Sequence, residues 1–120
     1  MFALSKSTLV LAAVLAVRFQ AANALGAFFC NDINYKTDCA HWTDLVDGKC
    51  YTLDAGHQDK VSSFGPDSGT QCVLSPDYHC ADAHVTVNYP GSADLRNVDY
   101  AGGIEVNDNM NSFVCSPGFV

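Results

Sequence analysis

Six cysteines, four histidines and thirteen carboxylates are the side chains of this 120-residue chain with chemistry to offer. Their spacing limits what that chemistry can be. The cysteines, Cys30, Cys39, Cys50, Cys72, Cys80 and Cys115, are scattered without a CxxC pair or matched histidines, which argues against a zinc cluster. An even count in a short chain reads instead as three disulfides. His41, His57, His79 and His84 sit in no G-x-S-x-G elbow and no H-E-x-x-H helix. Two aspartates can meet from anywhere, so spacing alone does not test a paired-carboxylate hydrolase. A mature domain this small leaves little room for the roughly 300 Å3 cleft that a substrate needs. No catalytic residue is assigned, and the expectation is a protein that is not an enzyme.

The elements that must position these residues are short. Runs rich in β-branched and aromatic residues recur at 27–30, 49–53, 60–64, 72–74, 84–89, 103–106 and 112–115, separated by Gly, Pro, Asn and Asp. About seven strands at this spacing predict an all-β sandwich, and no linker marks a second domain. An internal repeat is visible. Gln58-Asp59-Lys60-Val61-Ser62-Ser63-Phe64 parallels Asn107-Asp108-Asn109-Met110-Asn111-Ser112-Phe113. The segment from Cys30 through Asn34-Tyr35 to Cys39 likewise parallels the one from Cys72 through Asp77-Tyr78 to Cys80. Two copies of four strands each predict a pair of Greek keys, about 25–66 and 67–120.

The N-terminus reads as an export signal. Lys6 precedes an apolar run over 8–17, and Ala22-Asn23-Ala24 supplies a small-residue cleavage site. That run is too short for the roughly 20 residues of a membrane span. Residues 1–24 are thus expected to be removed, leaving a single secreted domain over 25–120. That domain keeps Lys36, Lys49, Lys60 and Arg96 against thirteen acidic residues, a formal charge of −9. Such a surface gains nothing from phosphate counterion release, so nucleic acid and anionic lipid are excluded as partners. There is no N-x-Ser/Thr sequon after residue 24.

Taken in order, 59–67, 72–80, 89–95 and 107–115 resemble the βγ-crystallin fold family, and particularly its small cysteine-rich fungal secreted members. The resemblance implies a disulfide-stapled sandwich of two Greek keys and a calcium signature. In that signature two acidic or amide residues are followed by two free positions, Ser or Thr, and Ser. The implied ligands are Gln58, Asp59 and Ser62 in one copy and Asn107, Asp108 and Asn111 in the other, with the partner repeat completing each shell. Carboxylate, amide, hydroxyl and main-chain oxygens suit calcium, which takes six to eight of them. Each copy departs once: Gln58 replaces the usual Asn or Asp, and Asn111 replaces the hydroxyl. Without an ion the same serine can instead fasten its own hairpin.

Six cysteines allow fifteen pairings. The repeat favours Cys30–Cys39 and Cys72–Cys80, which leaves Cys50–Cys115. Phe28, Tyr35 and Trp42 read as packing residues, the alternative being docking of a carbohydrate or protein. The resemblance implies a monomeric, non-enzymatic interaction protein meeting an extracellular protein or glycan, as an effector, elicitor or antimicrobial acting on a host or competitor. The alternatives are an inhibitor of a secreted protease, presenting 65–70 or 88–93 as its loop, and a calcium-stabilised protein of wall or spore.

Overall fold

A computed structural model describes residues 24–118; of the expected export signal, 1–24, residues 1–23 lie outside them. Seven strands follow in order: β1 (Leu25–Cys30), β2 (Cys39–Leu45), β3 (Cys50–Thr52), β4 (Ser63–Pro66), β5 (Thr70–Ser75), β6 (Val85–Asn88) and β7 (Ser112–Pro117). Two short 3-10 turns, Ile33–Tyr35 and Leu95–Asn97, complete the described elements, and no helix among the described residues is long and apolar enough to cross a membrane. The strands form two antiparallel sheets, β2-β1-β4 and β3-β7-β5-β6.

The two halves of the chain interlock. Strand β3 comes from the first half but pairs with β7 in the second sheet. Reciprocally, Ser92 comes from the second half and bridges Phe64 of β4, with both N–H···O bonds at 2.9–3.0 Å. Phe64 and Phe113, matched in the sequence repeat, occupy equivalent places in the two sheets. Both are fully buried against Phe29, with ring centroids 5.8 and 6.0 Å from it. Side-chain alternation sends Leu25, Ala27 and Phe29 of β1 inward, and Cys72 and Leu74 of β5 likewise. Trp42 packs edge-on against Phe29 and tilted against Phe113, so it belongs to the core as the sequence suggested.

Three strand expectations change. The run expected at 60–64 becomes strand only from Ser63, and β4 continues through Gly65 and Pro66, which read as a turn. Residues 39–45, Cys-Ala-His-Trp-Thr-Asp-Leu, form β2, an edge strand whose outer residues are polar and whose Asp44 has positive φ, so it lacks the apolar signature of a strand. Residues 103–106 instead close a tight turn. Gly102 and Gly103 take positive φ, Asp99 bridges Glu105, and only Val106 turns into the core.

The disulfides are Cys30–Cys39, as expected, together with Cys50–Cys80 and Cys72–Cys115. The pairings Cys72–Cys80 and Cys50–Cys115 are therefore wrong. Cys72 and Cys115 lie directly opposite each other on β5 and β7, both facing inward. Cys80 lies in the loop after β5 and reaches Cys50 on the edge strand β3. The error came from aligning Cys30 with Cys72. By hydrogen bonding the counterpart of Cys30 in the second copy is Ser75: the Cys30 carbonyl accepts from Ser62 N–H, and the Ser75 carbonyl accepts from Asn111 N–H.

Candidate metal centre

The loops 58–63 and 107–112 share a set of matching hydrogen bonds. Asp59 and Asp108 both take left-handed φ, 57° and 55°. This is a conformation that aspartate tolerates better than most residues. Asp59 N–H donates to the Met110 carbonyl at 3.3 Å, and Asp108 N–H to the Val61 carbonyl at 3.2 Å. Val61 and Met110 are the fully buried anchors of the two loops. Ser63 Oγ donates to the Asp32 carbonyl at 2.8 Å, and Ser112 Oγ to the Asp77 carbonyl at 2.6 Å. The last serine of each motif is thus a structural tie between loop and strand end.

The candidate ligands combine across the repeats. The expectation paired Asp59 with Ser62 and Asp108 with Asn111 within their own loops. The structure instead faces Asp59 with Asn111 and Asp108 with Ser62, because the loops run antiparallel past each other. The two resulting cradles differ. In the first, the Asn111 amide nitrogen donates to the Asp59 carboxylate at 2.7 Å and to the Pro76 carbonyl at 2.9 Å, while its oxygen accepts from Asp59 N–H at 3.0 Å. Asn111 is buried and its amide is fully used. Its NH2 group bridges the carboxylate and carbonyl that a cation would otherwise bridge. Gln58 is turned away, donating to the Leu53 carbonyl at 2.8 Å.

In the second cradle Ser62 Oγ stands 3.4 Å from Asp108 Oδ1, at the outer limit of a hydrogen bond. Two amide oxygens, Asn107 Oδ1 and Asn31 Oδ1, are buried without a partner. Asn107 precedes Asp108, and Asn31 follows the Cys30 carbonyl that holds Ser62. Asn31 uses only its amide nitrogen, donating to the Gly56 carbonyl at 2.9 Å. An open cleft of about 400 Å3 beside Asp108 is lined by Asn31, Asp32, Asp38, Asp59 and Lys60. Orphaned buried oxygens carry a desolvation cost that an oxygen-seeking cation would relieve. The residues of this second cradle therefore fit calcium, with the Lys60 ammonium as a competing charge at its rim. Among the described residues no three His, Cys, Asp or Glu side chains converge, so hydroxyl, amide and carbonyl oxygens would have to fill most of such a shell.

Sequence reasoning missed Asn31, Asp32, Asp38 and Lys60 at the open cradle and Pro76 at the closed one. A further missed residue is Tyr100, buried with its hydroxyl donating to the Asn109 carbonyl at 2.8 Å. Burial, with Asp59 and Asp77 nearby, pushes its phenol well above the usual range. It clamps the second loop. The histidines are tied elsewhere: His57 bridges the Asp54 carboxylate and the Asp38 carbonyl, His84 reaches the Cys80 carbonyl, and His41 reaches Asp67.

No protein-family model and no curated protein matches the chain by sequence. Solved structures do match. A βγ-crystallin domain from Flavobacterium johnsoniae covers 78% of this chain and 97% of its own, at TM-score 0.58 and 20% identity. The N-terminal domain of Protein S covers 79% and 99%, at TM-score 0.57 and 14% identity. The βγ-crystallin domain of Abundant Perithecial Protein from Neurospora crassa, in its Ca2+-bound form, covers 81% and 93%, at TM-score 0.56 and 12% identity.

Proposed function

We propose that this chain, which has the all-β fold of these βγ-crystallin domains with two antiparallel sheets and three disulfides, is a secreted, monomeric, non-enzymatic interaction domain. It binds one calcium ion, in the cradle of Asp108, Ser62, Asn107 and Asn31. The observation that carries this reading is the asymmetry of the two cradles. One is closed by the Asn111 amide; the other keeps a loosely held Ser62–Asp108 pair and two buried amide oxygens without partners, on Asn107, next to Asp108 in the chain, and on Asn31, which lines the cleft with Asp108. The bound ion in the Neurospora domain supports the choice of calcium. Three disulfides and the export signal support an oxidising, extracellular setting.

Calorimetric titration of the oxidised mature chain tests the reading. One calcium per chain is expected, with loss of binding in Asp108→Ala and retention in Asp59→Ala. Two equivalent sites, or binding indifferent to Asp108, would refute it. Within that reading the biological role is an effector, elicitor or antimicrobial acting on a host or competitor. The protease-inhibitor alternative loses one of its loops, because Gly65 and Pro66 are buried in β4 and Thr70 is buried in β5. The segment 88–93 keeps Tyr89 exposed. Stoichiometric titration of a secreted protease separates that role from action on living tissue.

A further inference from the structure

The outer face of the β2-β1-β4 sheet is not the polar surface that strand alternation normally gives to water. Phe28 points outward there, because Ala27 and Phe29 on either side point in. Its cross-strand neighbours are His41 on β2 and Gly65 on β4. Gly65 leaves bare backbone, and a Cβ there would lie 2.9 Å from both the Tyr35 hydroxyl and the Pro90 carbonyl. Tyr35 is therefore drawn over the gap, its ring 5.7 Å from Phe28. Burial raises its pKa. Opposite stands Tyr89, 45% exposed. The result is an open cleft of about 430 Å3 with a backbone floor and aromatic walls. This corrects the expectation that so small a domain leaves little room for one. It also separates Phe28 and Tyr35 from Trp42, which does belong to the core.

The rim supplies polarity. Asp67 presents both carboxylate oxygens to His41 Nε2, at 3.0 and 2.9 Å. Its backbone is fixed by N–H donation to the Gly26 carbonyl and by accepting from Thr70 N–H, both at 2.9 Å. The site is thus built in advance of a ligand. No lysine or arginine lines it among the described residues, so a polyanion finds no counter-charge on a chain this acidic. A cationic group finds the one carboxylate already shared with a histidine. The remaining offer is aromatic faces, the hydroxyls of Tyr35, Tyr89 and Ser68, and carboxylate lone pairs.

We propose that this cleft binds an uncharged saccharide, with the C–H face of a sugar ring on Phe28, Tyr35 and Tyr89 and ring hydroxyls donating to Asp67. Aromatic rings with a polar tip suit a ligand that is apolar on its faces and polar on its rim. The volume sits at the small end of the roughly 300–1,000 Å3 typical of ligand sites, enough for a short segment of a glycan.

The test uses the mature chain and calorimetry with cellohexaose, chitohexaose and laminarihexaose as probes. Oligogalacturonate and a proline-rich peptide serve as comparisons. At least one uncharged hexaose is expected to bind. Phe28→Ala and Tyr89→Ala should each weaken it about tenfold or more. Tyr35→Phe should weaken it severalfold by removing one hydroxyl. Tyr89 is exposed, so its variant should keep the melting temperature and the calcium response of the parent. Failure of all three hexaoses at millimolar concentration overturns the proposal. So does binding that survives Tyr89→Ala, and so does binding by oligogalacturonate or the peptide alone.

Discussion

Asn111 holds, with a side-chain amide, the place that Ser62 holds with a hydroxyl in the paired loop, and the two cradles differ because of it. The amide donates twice and accepts once, so the first cradle is satisfied without an ion. Asn111→Ala leaves the Asp59 carboxylate and the Pro76 carbonyl without that donor, and should cost about 1–3 kcal/mol in urea unfolding. Asn111→Ser should be similarly weakened in chelator but recover in calcium, with the calorimetric stoichiometry rising from one ion to two. Asp77 makes a second prediction at this scale. Burial would raise its pKa, but N–H donors from Ala81, Asp82 and His79 outweigh that and hold it below the ordinary carboxylate value. A group depressed on folding stabilises above its unfolded pKa of about 3.9 and loses that contribution as pH falls through the lower folded value. The stability gap between parent and Asp77→Asn should therefore be full above about pH 5 and shrink below about pH 4, as read by urea unfolding across that range. A gap that persists unchanged at lower pH would mean the turn does not depend on the charge.

Among the elements, five of the expected strand runs became strands nearly as read, because their apolar residues alternate around aromatic anchors such as Phe29 and Phe113. β2 was hidden, since an edge strand with one face in water needs few apolar residues, and its Trp42 looked like an isolated aromatic. The loop repeat was legible for a physical reason: both copies need a left-handed aspartate, a buried anchor and a closing serine, which fixes spacing as well as residue type. The cysteine repeat misled because nothing fixes where a disulfide enters a strand. Cysteines nine residues apart, as Cys30 and Cys39, resemble those eight apart, as Cys72 and Cys80, whether or not their strands are equivalent. That the partner repeat completes each shell was expected, but which partner residue faces which was illegible, since no residue within one loop reports what lies opposite. Peptide mapping without reduction should return Cys50–Cys80 and Cys72–Cys115 fragments beside Cys30–Cys39. Replacing Cys50 and Cys80 together by serine should cost about 2–4 kcal/mol, because the bridge closes a loop of 30 residues and ties edge strand β3 to the rest of its sheet. A cost near zero would mean that β3 is held by its β7 pairing alone.

For the whole molecule, the interlocked sheets and three disulfides set stability, and calcium bound as proposed would add to it only by linkage. An ion that binds the folded state alone raises stability by RT ln(1 + [L]/Kd). With calcium at its dissociation constant this is about 0.4 kcal/mol, and at ten times that concentration about 1.4 kcal/mol. For a domain of this size these correspond to melting shifts of roughly 2–3 °C and 6–11 °C. The effect tunes the fold and does not switch it on. Thirteen carboxylates give any divalent cation some general benefit, so the comparison belongs in buffered salt, where exposed charges are screened. The calcium shift should exceed that with magnesium, which sheds its water reluctantly and fits a loose amide and hydroxyl cradle poorly. It should vanish in Asp108→Ala, persist in Asp59→Ala, and grow in Lys60→Gln, where the competing ammonium is gone while most of the side-chain length remains. Equal calcium and magnesium shifts, unaffected by Asp108→Ala, would show that both loops are hydrogen-bonded hairpins held by Ser63 and Ser112, with the paired cradles serving only to lock one Greek key onto the other.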